Sequence, residues 1–106
     1  MNNIQKEQLY DELLETYGQD LQEDVAIEEM SELTKAIIKM RRAKHSNNEE
    51  KRTAAYENLK EEIADVEIML EQLILMHHIS QEELDEIKDN KLKRQQERLR
   101  GKEEEK

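Results

Sequence analysis

Across 106 residues the chain contains no proline and only two glycines, Gly18 and Gly101. These are the residues that stop helices and shape tight turns, so long stretches have nothing to interrupt a helix and little with which to join the short strands of a sheet. The expected fold is therefore all-α, an antiparallel bundle of about four helices. The length leaves room for one domain. Only 35% of the residues are apolar and 42% are charged, so a lone chain would bury a thin core. Completion of that core by self-association into a dimer or tetramer is expected.

With no cysteine there is no disulfide framework, thiolate metal site or cysteine nucleophile, and nothing argues for an oxidising compartment. The first residues, Met1-Asn2-Asn3-Ile4-Gln5-Lys6, lack the basic-then-apolar pattern of a signal peptide, and no apolar run is long enough for a membrane span. The expected location is the cytoplasm. A net charge of -10 disfavours nucleic acid and anionic membranes as partners and favours a divalent cation. The exception is a basic stretch near the carboxyl end, where Lys91, Lys93, Arg94, Arg98, Arg100 and Lys102 lie close together.

Periodicity and capping residues place the first helix at about residues 4–17, with Ile4, Leu9, Leu13, Leu14 and Tyr17 as an apolar stripe and Gly18 as its stop. The second spans about residues 20–43. A polar loop, Lys44-His45-Ser46-Asn47-Asn48, leads to a third from residue 49 to 77 or 78. Ser80, with Glu83 three residues later, forms a capping box for a fourth, mostly polar helix over about residues 81–100. The predicted domain is residues 1–100, with 101–106 a frayed charged tail.

Acidic pairs three apart are frequent: Glu12/Glu15, Asp20/Glu23, Glu82/Asp85, Glu83/Glu86 and Glu86/Asp89 all qualify, so spacing alone says little. Context separates two pairs from the rest. On a helical wheel with Glu29 at zero, Val25, Ala36, Met40, Leu33, Ala26, Ile37 and Met30 fall between about -40° and +100°. Glu29 lies inside this apolar arc, Glu32 at its edge near about -60°, and Glu28 outside. With Glu62 at zero, Met76, Met69, Leu73, Val66, Leu59, Leu70 and Ile63 span roughly the same arc, placing Glu62 inside and Asp65 at the edge. The segments Glu28-Glu29-Met30-Ser31-Glu32-Leu33 and Glu61-Glu62-Ile63-Ala64-Asp65-Val66 echo one another, as two similar half-sites would.

In an antiparallel hairpin, opposed residues share a constant index sum. The pairs 29/65 and 32/62 share the same one, centred on Asn47 in the polar loop, so the four carboxylates are expected to face each other at one level. Four buried like charges are tolerable only if protonated or neutralised by a cation. Magnesium, with its preference for oxygen ligands and its habit of bridging carboxylates to phosphates, fits best, and Mn²⁺ is an alternative ion. A di-iron carboxylate bundle needs a histidine three residues after a glutamate. The residues three before His45, His77 and His78 are Arg42, Ile74 and Leu75, so that motif is absent.

These residues resemble a known family. Glu28-Glu29-Met30-Ser31-Glu32 fits the EExxE element, and Glu62-Ile63-Ala64-Asp65 the ExxD element, of the all-α nucleoside triphosphate pyrophosphohydrolases typified by MazG, with 29 residues between Glu32 and Glu62. Ile63-Ala64-Asp65-Val66-Glu67-Ile68-Met69-Leu70 and Lys91-Leu92-Lys93-Arg94 also resemble short members of that family. The resemblance covers about residues 20–78. It implies Mg²⁺-dependent hydrolysis of a nucleoside or deoxynucleoside triphosphate to monophosphate and pyrophosphate. It further implies metal ligation by Glu29, Glu32, Glu62 and Asp65, orientation of the attacking water by one of these or by Glu28, and a dimer or tetramer whose subunits complete the site. The chain departs from the family in lacking Trp and Phe, having only Tyr10, Tyr17 and Tyr56, so the base contact is unassigned, with Tyr56 the weakest candidate.

Lys35 and the stripe Lys91, Arg94, Arg98 are expected contacts for substrate phosphates. Set against this, Lys35 and Lys39 are also placed to pair with Glu32 and Glu28 along the helix, and a basic stripe near a helix end is favoured without any ligand. His77 and His78 close the third helix, where a cation is likewise stabilised, and Met30, Met40, Met69 and Met76 suit core packing. The alternative to an enzyme is a non-enzymatic helical oligomerisation or adaptor protein that uses the same apolar stripes.

Overall fold

The structure, a computed structural model, describes residues 1–104, with side chains to Lys102. It contains four helices and, among the described residues, no strand: α1 (Asn3–Tyr17), α2 (Gln19–Lys44), α3 (Glu49–Met76) and α4 (Gln81–Glu104). The expected all-α class holds, and three of the four helices end within two residues of where the sequence places them. No described helix is long and apolar enough to cross a membrane.

Local chemistry explains the boundaries. Asn2 opens α1 with a capping box, its side chain accepting from the Gln5 amide at 2.8 Å while the Gln5 side chain accepts from the Asn2 amide at 2.9 Å. Gly18 ends α1 at φ 84, ψ 161, a conformation essentially reserved for glycine, where another residue would cost about 1–3 kcal/mol. Its amide donates to the Leu14 carbonyl, and its own carbonyl already accepts from Gln22, so α2 begins at once. Asn48 caps α3 by accepting from the Lys51 amide, and Ser80 caps α4 by accepting from Glu83. α3 stops at Met76, before His78 turns to a positive φ of 52. The sequence places a tail from Gly101, yet α4 continues through it to Glu104; one glycine in an exposed helix costs only about 1 kcal/mol relative to alanine.

Residues Met1–Met76 form one compact unit and His77–Lys106 a second. Helices α1, α2 and α3 lie in the first unit and α4 in the second. On α4 all described residues are exposed except half-buried Leu84.

The first unit is organised by α2 against α3. On α2 the less exposed positions Ala26, Glu29, Leu33, Ala36, Met40 and Ala43 alternate in steps of three and four. On α3 the same alternation runs through Arg52, Ala55, Leu59, Glu62, Val66, Met69, Leu73 and Met76. This is the spacing of a coiled-coil seam. Ala26, Ala36, Ala43, Val66 and Met69 are its buried members, and no large side chain among the described residues is fully buried. The apolar arcs inferred from sequence are therefore only partly interior. Their far edges stay exposed on both helices, with Met30 at 39%, Ile37 at 43%, Ile63 at 40% and Leu70 at 44%.

α1 packs beside α2 and reaches α3 through Tyr10, whose hydroxyl donates to Glu71 Oε2 at 2.6 Å, while Lys6 Nζ lies 3.6 Å from the same carboxylate. Burial first, and then the hydrogen bond and charge of Glu71, push the Tyr10 hydroxyl up to about 12. Because the folded value exceeds the unfolded one, the protonated phenol stabilises the fold below about pH 10, the unfolded value. That contribution disappears as the pH rises through about 12. Urea unfolding between pH 9 and pH 12 is expected to show a loss of stability that Tyr10→Phe reduces, with Tyr10→Phe less stable than the parent at neutral pH by about 1–2 kcal/mol.

Candidate metal centre

Glu29 sits on the seam of α2, Glu62 on that of α3, and Asp65 one turn beyond Glu62. Each offers a carboxylate oxygen, and the three oxygens lie within 4.8 Å of one another. Glu29 and Glu62 are half-buried and Asp65 is exposed. The seam explains the gathering: at most of its positions apolar side chains meet, and at this level the sequence supplies acids instead. Magnesium-bound oxygens lie roughly 3–4 Å apart across an octahedral shell, so small side-chain rotations would bring all three onto one ion.

The electrostatics are those of crowded like charges. Burial pushes the Glu29 carboxyl above the usual carboxylate range, helped by the negative charges of Asp65, Glu62 and Glu28 and by a hydrogen bond with Asp65. Glu62 Oε2 is shielded from solvent and, among the described residues, is the one buried side-chain polar atom without a hydrogen-bond partner. An acceptor in that position needs a donor, a proton or a cation. A hard divalent cation meets the requirement for all three groups together, and the donor set fits Mg²⁺ or Mn²⁺.

Glu32 departs from the expected quartet. It is not in the group of three, and its carboxylate turns along α2 to Lys35, Oε1 lying 3.3 Å from Nζ, with 44% of the side chain exposed. The wheel places Glu32 at the margin of the seam, where solvent and an i+3 lysine compete successfully for it. Lys35 thus adopts the surface pairing rather than an open phosphate-facing position. Glu28 is exposed and acts on Glu29 through its charge.

Lys91, Arg94 and Arg98 share one exposed face of α4, where with Gln95 they line a cleft of about 160 Å³. They belong to the second unit. Tyr56, the base-contact candidate, is half exposed, with Lys60 Nζ 4.9 Å from its ring centre.

Sequence reasoning missed a second feature of the hairpin. Toward its tip, an open groove of about 470 Å³ lies between α2 and α3, with Lys39 and Arg42 on one wall, Lys51 and Asn58 on the other, and Ala43 and Ala55 among the residues that line it. Lys39/Ala55 and Ala43/Lys51 share the index sum that relates Glu29 to Asp65, so the register was sufficient to find it. The inference stopped at the acids because a scatter of lysines and arginines reads as ordinary solvated surface.

No family model matches the chain, and neither a curated protein nor a solved structure matches it.

Relief of the crowding provides a test. In metal-free protein at neutral pH, Glu29→Gln is expected to raise the melting temperature by a few degrees, because it removes one of the mutually repelling charges. An equivalent change at exposed, distant Glu86→Gln should move it little. A drop in the melting temperature of Glu29→Gln would show the three acids to be mutually stabilised instead.

Proposed function

We propose that the chain is a Mg²⁺-dependent nucleotide pyrophosphohydrolase resembling the MazG-like enzymes, cleaving a nucleoside or deoxynucleoside triphosphate between the α and β phosphorus. The observation that carries the reading is the convergence of Glu29, Glu62 and Asp65 from two antiparallel helices, together with the unpartnered Glu62 oxygen. These are the residues of the EExxE and ExxD elements. Glu32, one turn along α2, would join them by exchanging Lys35 for the ion, a single side-chain rotation. A surface ion pair of this kind is worth at most about 1 kcal/mol, so the exchange is inexpensive.

The roles of the chain's own residues follow from their surroundings. Glu29 and Glu62, half-buried on the seam, hold fixed positions and would supply ligand oxygens. Asp65 and Glu32, at the solvent margin, would complete the shell on the side from which substrate approaches. Glu28, exposed beside Glu29, would orient a water molecule. The bound ion would polarise the phosphoryl oxygens and lower the pKa of a bound water. Lys91, Arg94 and Arg98 would contact substrate phosphates, from another subunit.

An incomplete core supports the oligomer expected from the sequence. Met30 and Ile37 on α2, and Ile63 and Leu70 on α3, occupy the same angular sector of each helix, between about +80° and +100° from the seam acids. Glu32 and Asp65 both lie near about -60°. In an antiparallel pair these sectors fall on opposite sides of the hairpin, giving an apolar strip on one side and the acids on the other. A second copy packed strip to strip would bury the strip and leave the acids open to solvent. Sedimentation is expected to give a dimer or larger species that Ile37→Glu with Leu70→Glu dissociates; a parent sedimenting as a monomer at micromolar concentration would contradict it.

The same strip also favours the second reading, a non-enzymatic helical adaptor, and activity separates the two. A panel of ribo- and deoxyribonucleoside triphosphates with Mg²⁺ is expected to yield monophosphate and pyrophosphate. Chelation should abolish this, and Glu62→Ala should lower it by at least roughly 10²-fold. Absence of pyrophosphate release from the whole panel would favour the adaptor.

A further inference from the structure

The groove at the hairpin tip carries a separate proposal. In a chain where 27 acidic residues outnumber 17 lysines and arginines, its lining contains Lys39, Arg42 and Lys51 and no carboxylate. Four cations of the chain lie in ion pairs, Lys6 with Glu71, Lys35 with Glu32, Lys60 with Glu57 and Lys93 with Asp89. The three groove side chains take part in no ion pair or hydrogen bond among the described residues. Three exposed, unneutralised cations around one concavity give it a local positive potential that favours an anion.

The remaining lining indicates what kind of anion fits. Ala43, Ala54 and Ala55 give an apolar surface with no bulky side chain in the way, and Asn58 adds an amide donor and acceptor. A volume of about 470 Å³ is in the range of small-molecule sites. Arg42 offers a planar fork suited to phosphate oxygens, and the two lysines add point charges on opposite walls.

The loop beneath the groove is already ordered. Ser46 Oγ accepts from the Asn48 amide, Asn48 caps α3, and the Ser46 carbonyl accepts from the Arg52 guanidinium. A ligand would therefore meet a formed site, with little ordering cost.

We propose that this groove binds a small phosphorylated ligand, its phosphates held by Lys39, Arg42 and Lys51 and its non-ionic part lying on the alanines beside Asn58. The site is distinct from the acidic triad. Lys39 lies seven residues beyond Glu32, about 10 Å along α2, and the groove needs no metal ion. The proposal therefore does not rest on the hydrolase reading.

The test uses the full chain in excess chelator at low ionic strength, titrated with sodium tripolyphosphate, ATP and adenosine and followed by calorimetry and amide NMR shifts. Saturable one-to-one binding of tripolyphosphate and ATP is expected, with shifts centred on residues 39–58. Arg42→Gln with Lys51→Gln should weaken it at least roughly 10-fold, whereas Glu62→Gln and Lys60→Gln, neither of which lines the groove, should leave it unchanged. Arg42→Lys, which keeps the charge but loses the fork, guards against a folding defect and should bind between the parent and Arg42→Gln. ATP binding more tightly than tripolyphosphate would place the nucleoside on the alanine surface, and equal affinities would assign recognition to the phosphates alone; either outcome supports the site. Four results would overturn it: no saturation at millimolar tripolyphosphate, adenosine binding as well as ATP, equal weakening by Lys60→Gln, or loss of binding in Glu62→Gln.

Discussion

The α2–α3 seam is the contact on which the rest of this structure depends. Its steps of three and four residues set two long helices antiparallel at one register, with Ala26, Ala36 and Ala43 of α2 and Val66 and Met69 of α3 as its buried members. Every functional feature of the first unit is a consequence of that register. Where the seam positions are apolar, the hairpin is held together. Where they are Glu29 and Glu62, carboxylates from distant parts of the chain are forced close together. Around the last buried alanine of α2, Ala43, the helices leave room for the cationic groove.

Much of this was legible in the sequence, for identifiable reasons. The scarcity of glycine and proline gave the all-α class, and Gly18 and Ser80 marked helix ends because each satisfies a specific backbone group. The hairpin register followed from index sums, which depend only on the loop centre, and three of four predicted acids meet as it requires. Glu32 escaped because a wheel gives an angle and no rotamer: at the margin of a seam, Lys35 decides where the side chain points. That α4 falls in a second compact unit was not read from the sequence. Its amphipathicity was visibly poor, but only packing decides whether a polar helix joins a core.

The thinness of the core has two sides. Leaving Met30, Ile37, Ile63 and Leu70 partly exposed forgoes stabilisation of roughly 1 kcal/mol for each such side chain. Crowding acids at the level of Glu29 opposes folding further. Burial of the strip by a second copy and neutralisation of the acids by a cation would offset both deficits. Assembly and ion binding would then act as stabilisers of the same fold, each favouring the folded hairpin by mass action.

The central claim is that Glu29, Glu62 and Asp65 form one cation site, and paramagnetic Mn²⁺ locates such a site directly. Added at a few per cent of the protein concentration, it should broaden the amide resonances around residues 29, 62 and 65 first, with Mg²⁺ restoring them by competition. Broadening spread evenly over the other acidic runs, such as residues 82–89, or none near the triad, would contradict the claim.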